Sequence, residues 1–186
     1  MFQTTTLAKV NISYAVKFII LLTLATGAPL LGFHSQWITG PIVNMALVLS
    51  VYILGIRGAL LIGLLPSTIA LGTGLLPAVL APMIPFIIIA NTLLVFTLDY
   101  FANQSTIYNS QPATHNLQPR IYWASLIVAS GLKYLFLFST SSIVAGLLLK
   151  QALAAQVAIL MSWPQFFTAL IGGILAWGIL KIVKKD

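Results

Sequence analysis

Residues 41–76 read PIVNMALVLSVYILGIRGALLIGLLPSTIALGTGLL, and this stretch decides the class of fold. It carries a single charge, Arg57, in 36 residues. As one continuous helix it would be about 54 Å long, far more than the ~30 Å hydrocarbon core of a bilayer. The only charged and glycine-rich point is 55–58, so the pattern predicts a tight turn there between two antiparallel membrane spans.

The composition of the whole chain also indicates a lipid environment. Of its 186 residues 60% are hydrophobic and only 6% are charged, and the mean hydropathy is +1.05. A soluble domain has roughly a quarter of its residues charged, so most of this surface must face lipid. The net charge of +7 comes from lysines and arginines scattered along the chain. Such scattering is typical of membrane topology signals and does not indicate nucleic-acid binding.

The remaining apolar stretches predict four more spans, which nearly use up the length of the chain. The polar segment 102–119 is predicted as a loop, and 151–161 is a candidate for a short separate helix over one mouth of the bundle. Ser162 and Pro164 are placed to start the last helix, as cap and first-turn proline. We therefore predict one all-α domain over 1–186, a polytopic six-transmembrane-helix bundle with spans at about 15–33, 41–56, 58–76, 83–101, 121–149 and 157–183.

The charges predict the orientation of this bundle. With the N-terminus in the cytoplasm, seven of the nine basic residues lie on the cytoplasmic side. Lys150 alone then lies outside, and Lys133 lies within a span. This distribution agrees with the positive-inside rule. We expect a multi-pass protein of the cell membrane with both termini cytoplasmic, and outward connections at 34–40, 72–82 and 150–161.

Lys133 is the most informative polar residue, because a charge in the middle of an apolar span is costly. It shares a helical face with Ser130 and Thr140, and this polar stripe should point into the bundle. One interpretation is a structural charge that pairs with backbone carbonyls or with Asp99. The other is solute binding, in which case the solute carries an anionic or strongly accepting group.

Further polar groups are candidates for the same site, each with a structural alternative. Asn44, Asn91 and Gln165 are amides in apolar runs, where they either bond neighbouring helices or recognise a ligand. Trp37 either belongs to the interfacial aromatic belt or stacks on a flat solute. The full set of predicted solute-binding residues is His34, Gln36, Trp37, Asn44, Asn91, Lys133, Thr140, Gln165 and Thr168.

Catalytic machinery is not recognisable in the sequence. The chain has two acids, Asp99 and Asp186, two histidines and no cysteine. No carboxylate pair, phosphate-binding glycine loop or Gly-x-Ser-x-Gly motif occurs. His34 has no second metal ligand near it in the sequence, so a metal site is not indicated there. We expect a protein that is not an enzyme and that needs no cofactor.

Several stretches resemble the substrate-binding S component of energy-coupling factor (ECF) transporters. They are TGPIVN at 39–44, LGIRGA at 54–59, PMIPF and AN within 82–91, and WPQFFT leading into IGG within 163–173. The resemblance implies capture of a vitamin or similar micronutrient near the outer face. It also implies a membrane-embedded T component and two cytoplasmic ATPases as partners.

Two other functions remain open at this point. A membrane scaffold or assembly subunit would use Lys133 and Gln165 as structural pairs and the 102–119 loop as its docking segment, and it would bind no solute. A small secondary transporter is the third hypothesis, although no internal repeat is visible. The sequence leaves the identity of the solute open.

Overall fold

A computed structural model describes residues 12–30, 35–74, 78–109, 118–148 and 151–183, and every element in these ranges is helical. In chain order the helices are α1 (Ile12–Leu30), α2 (Gln36–Leu54), α3 (Ile56–Gly72), a 3-10 helix (Ala78–Met83), α4 (Ile84–Asn109), α5 (Pro119–Leu148), α6 (Gln151–Leu160) and α7 (Trp163–Val183).

Four stretches of helix are long and apolar enough to cross a membrane. Two shorter apolar helices accompany them, within α1 and α3. The prediction of an all-α membrane bundle is therefore confirmed as a class. The four long stretches are Gln36–Leu54, Leu80–Gln104, Pro119–Val144 and Ala154–Val183.

The bundle is built around α2, which packs against α1, α3, α4 and α7. A large apolar core joins these helices to α5. A second, smaller core lies under α6 and includes Met83, Leu137 and Val157. Many large apolar side chains point outward, as expected of helices whose outer surface faces lipid.

Glycines bring α7 close to its neighbours. A Cβ built on Gly172 would lie 2.7 Å from the carbonyl oxygen of Pro41 and from the backbone nitrogen of Met45. One on Gly173 would overlap the side chain of Leu126 on α5. Small residues at such positions let membrane helices approach through their backbones.

The predicted turn at 55–58 is confirmed, while other boundaries differ. Gly55 alone separates α2 from α3 and has φ +77°, a left-handed value that favours glycine. Helix α2 begins at Gln36 and not at 41, because Pro41 removes only one hydrogen bond, to the carbonyl of Trp37 near the helix end. Residues 35–40, predicted as an outward connection, are thus mostly helical.

The predicted loop at 102–119 is wrong in its first half, because α4 continues to Asn109. No proline or glycine interrupts residues 102–109. Hydrogen bonds from Asn103 to Asp99 (2.9 Å) and from Gln104 to Tyr100 (2.8 Å) support one more helical turn. The change to polar residues therefore did not mark the end of the helix. Residues 110–117 lie outside the described ranges.

The predicted last span, 157–183, divides into α6 and α7. The separate short helix expected at 151–161 is confirmed as α6, and Pro164 lies in the first turn of α7. Ser162 does not cap α7 through its side chain, since its hydroxyl donates to the carbonyl of Ile159 (2.6 Å).

Apart from the buried Lys133, the basic residues of the described helices gather at one end of the bundle. Tyr122, near the start of α5, lies 5.6 Å from Tyr52 of α2 and 4.6 Å from Trp177 of α7, measured between ring centroids. The C-terminal ends of α2 and α7 therefore lie beside the N-terminal end of α5. We call this the basic end, defined by Lys17, Arg57, Arg120 and Lys181. The opposite end, where α2 and α7 begin, is the glutamine end, defined by Gln36 and Gln165.

Candidate functional site

Lys133 lies midway along α5 and is almost completely buried, with 3% of its surface exposed. Its Nζ donates hydrogen bonds to Oδ1 of Asn44 on α2 (2.6 Å) and to Oδ1 of Asn91 on α4 (2.8 Å). Both asparagines are as buried as the lysine. The predicted inward direction of Lys133 is thus what the structure has, and two of the predicted amides are its partners.

Each amide is anchored on its other side by a backbone carbonyl. Nδ2 of Asn44 donates to the carbonyl of Gly40 (2.9 Å), and Nδ2 of Asn91 donates to the carbonyl of Gly63 on α3 (3.1 Å). Since both nitrogens are used in this way, both amide oxygens face the lysine. The hydrogen bonds therefore connect α3, α4, α5 and α2 through one buried centre, which we call the lysine centre (Lys133, Asn44 and Asn91).

The lysine centre contains no negative charge. Its partners are neither the backbone carbonyls nor the Asp99 carboxylate that the structural interpretation of Lys133 named. Asp99 accepts from Asn103 and lies about 12 Å along α4 from Asn91. No carboxylate contacts Lys133 within the described residues. A buried cation is here solvated by two neutral amide dipoles in place of a counter-ion.

Ser130 lies one helical turn before Lys133 and is fully buried. Its Oγ has no hydrogen-bond partner among the described residues. Other buried serines of α5 are satisfied within their own helix. Ser125 donates to the carbonyl of Tyr122 (2.8 Å) and Ser141 to that of Phe138 (3.1 Å).

A second group of predicted residues meets at the glutamine end. Nε2 of Gln36 and Nε2 of Gln165 both donate to the carbonyl of Leu160, the last residue of α6, at 2.8 and 3.1 Å. The rings of Trp37 and Trp163 lie beside them with centroids 5.3 Å apart, and Trp37 is 46% exposed. This glutamine clasp (Gln36, Gln165 and the Leu160 carbonyl) holds α6 against α2 and α7.

Six of the nine predicted residues thus form two groups and not one. The glutamine clasp and Trp37 lie about 12 Å along α2 from Asn44 of the lysine centre. Thr140 donates to Phe136 (2.7 Å) and Thr168 to Gln165 (3.2 Å), each within its own helix. Neither hydroxyl reaches Lys133, so the predicted convergence of these side chains is wrong. His34 lies outside the described residues.

No metal-binding cluster of three or more histidine, aspartate or glutamate side chains occurs in the described ranges. The chemistry that the lysine centre offers is the binding of an acceptor group by a positioned cation.

Comparison with known proteins does not identify a family for this chain. No family model matches the chain, and neither a curated protein nor a solved structure is detectably similar to it.

The sequence did not predict the partners of Lys133, and it did not predict that the hydroxyl of Ser130 lacks a hydrogen-bond partner in the described part of the chain. The contacts of Lys133 join residues 89 and 42 positions apart, and helical periodicity carries no such information. A usable signal existed for the asparagines, because two isolated amides in apolar helices need partners as much as one isolated lysine does. The sequence places Ser130 on the same helical face as Lys133, but it does not show that Ser130, unlike Ser125 and Ser141, lacks a hydrogen-bond partner within the described residues.

Proposed function

We propose that this chain is the solute-binding membrane subunit of an ECF-type importer, an S component. It captures a small micronutrient at the outer face of the cell membrane for uptake driven by partner subunits. The observation that supports this most is the lysine centre. A buried cation that three helices position with neutral groups is well placed to bind a polar solute.

In this proposal the glutamine end faces outward and the basic end faces the cytoplasm. Seven basic residues then lie inside, as the positive-inside rule prefers. Six helices, α1 to α5 and α7, cross the membrane, and both termini are cytoplasmic. The lysine centre lies about 12 Å below the outer end of α2, within reach of a solute that enters from outside.

The partners follow from the resemblance in sequence. A T component would dock on the bundle within the membrane, and two cytoplasmic ATPases would supply the energy. The chain itself has no phosphate-binding glycine loop in its sequence, in agreement with an external source of energy.

A scaffold without a solute is the second candidate, and one observation favours it. Lys133, Asn44 and Asn91 already bond one another, so the centre also serves as a structural connection between helices.

Small molecules released from the detergent-purified protein, identified by mass spectrometry, distinguish the two functions. We expect a solute to co-purify with the wild type and with Lys17→Met, which changes an exposed lysine on α1. Lys133→Met should retain at most a tenth as much solute, a loss of at least ~1.4 kcal/mol in binding. A wild type that carries no solute, in a preparation that unfolds cooperatively, would favour the scaffold.

A further inference from the structure

We infer that Lys133 and Ser130 together hold a single carboxylate group of the solute, while Asn44 and Asn91 position the lysine. This inference rests on the proposed function and names the chemical class of the ligand. It also assigns a role to Ser130, for which the sequence predicted only a position on the same helical face as Lys133.

The first step is the count of donors on Lys133. An ammonium group has three N–H donors. Two of them are used by the amide oxygens of Asn44 and Asn91. Because both amides are anchored to backbone carbonyls, the direction of Nζ is fixed, and with it the direction of the third donor.

The second step is the position of Ser130. Residues three apart on a helix lie on the same side, with Cβ atoms about 5–6 Å from each other. Its hydroxyl is the buried side-chain oxygen of the described residues that lacks a partner. A buried hydroxyl without a partner costs free energy, and an acceptor between Ser130 and Lys133 would remove that cost.

The third step is charge. Lys133 is the buried cation of the described helices, and its protein partners are neutral. One negative charge on the ligand would neutralise the site, whereas a doubly charged phosphate would leave an excess charge in a medium of low dielectric. A carboxylate carries one charge and two acceptor oxygens, so it can accept from the ammonium and from the hydroxyl at the same time.

Formate is the probe for this inference, because it is the smallest carboxylate, and formamide is its neutral counterpart. The readout is the unfolding temperature of the detergent-solubilised full chain as each probe is titrated, with sodium chloride at equal ionic strength as reference. A three-atom ligand can reach a Kd of about 1 mM at best. We expect a saturable stabilisation by formate in the millimolar range and none by formamide.

Two variants test the roles of the residues. Ser130→Ala should raise the Kd for formate about tenfold, as expected for the loss of a hydrogen bond to a charged group. Asn91→Asp places a carboxylate against Lys133 within the protein, so it should abolish the response to formate while the protein stays folded. Asn103→Asp adds the same charge at an exposed position of α4 and should leave the response unchanged.

The outcomes separate this inference from the proposed function. One outcome is that a solute co-purifies but formate has no effect, or acts equally on the wild type and Asn91→Asp. That result would contradict the carboxylate site but not the proposed function as an importer subunit. If formate binds as expected but no solute co-purifies, the site stands and the importer is in doubt. An unchanged Kd in Ser130→Ala removes Ser130 from the site.

Discussion

At the scale of single residues, the main feature is that the buried Lys133 bonds two amide side chains. A carboxylate would be the more common partner of a lysine. Asn44 and Asn91 each use one end on a backbone carbonyl and the other on Nζ of Lys133. An aspartate at either position accepts only, so it would leave the backbone carbonyl of Gly40 or Gly63 without this donor. The asparagines therefore connect the lysine to the backbone of two helices in a way that a simple ion pair would not.

Lys133→Met should lower the free energy of unfolding, because it leaves two buried amide oxygens without a donor. We expect a loss of about 1–3 kcal/mol. Combined with Asn91→Leu, the double variant should lose less than the sum of the single losses, by about 1 kcal/mol. Unfolding by titration with sodium dodecyl sulfate in mixed micelles measures each value. Lys17→Met is the control and should change stability by less than about 0.5 kcal/mol. Strictly additive losses would mean that Lys133 and Asn91 do not interact.

At the scale of elements, the contact of α2 with α7 depends on the absence of side chains. Gly172 lies against the backbone of α2 at Pro41 and Met45, and Gly40 of α2 lies against Thr168 of α7. Asn44 lies at the same contact, so the spacing of these two helices also sets the position of one amide of the lysine centre.

Gly172→Ala should destabilise the protein by about 1–3 kcal/mol, because the new methyl group would overlap two backbone atoms that cannot rotate away. Gly178→Ala is the matched control on the same helix. A Cβ there meets no heavy atom within 4 Å, and the gain in helix propensity makes it neutral or stabilising by up to about 1 kcal/mol. Thermal unfolding in detergent compares the two. Equal stability of both variants would show that α2 and α7 are less closely packed.

The glutamine clasp has a different role, because it holds a short helix that packs against few other elements. Helix α6 has only 10 residues, and its last carbonyl accepts from Gln36 and from Gln165. Short helices are marginal on their own, so α6 depends on such tertiary contacts.

Gln36→Met and Gln165→Met should each speed up amide hydrogen exchange in α6. Loss of one hydrogen bond worth about 0.5–1.5 kcal/mol corresponds to a roughly two- to tenfold faster exchange. Mass spectrometry of peptides from 151–160 measures it. Gln104→Met is the control, since Gln104 bonds Tyr100 on the exposed part of α4. If α6 exchanges equally in all three variants, the clasp does not hold it.

At the scale of the whole molecule, the two ends of the bundle have different chemistry. The basic end carries cations beside the aromatic rings of Tyr52, Tyr122 and Trp177, with Nζ of Lys181 lying 5.2 Å from the centre of the Trp177 ring. The glutamine end carries uncharged amides and two indoles. This asymmetry is the physical basis of the proposed orientation.

Single-cysteine labelling tests that orientation without background, because the native chain has no cysteine. Arg57→Cys lies at the basic end, and Thr73→Cys lies at the far end of α3; both positions are exposed. We expect a membrane-impermeant maleimide to label Thr73→Cys on intact cells and Arg57→Cys only after permeabilisation. Labelling of Arg57→Cys on intact cells would show that the basic end faces outward, the reverse of the proposed orientation. Ser110→Cys, outside the described residues, should behave as Arg57→Cys does.

The sequence predicted those features that depend on local chemistry. Hydropathy is enough to recognise the helices, and the charged, glycine-rich point at 55–58 is enough to place the turn at Gly55. The start of α2 and the end of α4 were predicted wrongly, because helices continue through polar or proline-containing segments when nothing nearby stops them. For the site, the inward direction of Lys133 was predictable from cost alone. Its pairing with Asn44 and Asn91 was not, since it depends on how distant helices pack.

The four tryptophans of the chain form two pairs, one at each end of the bundle. Trp37 and Trp163 have ring centroids 5.3 Å apart, and Trp123 and Trp177 have theirs 5.6 Å apart. Along α7 the two pairs are separated by about 21 Å. Indoles this close couple their electronic transitions, whereas the two pairs are too far apart to couple strongly. The tryptophan part of the near-ultraviolet circular dichroism is therefore the sum of two nearly independent signals, and a change of packing at one end of the bundle alters mainly one of them.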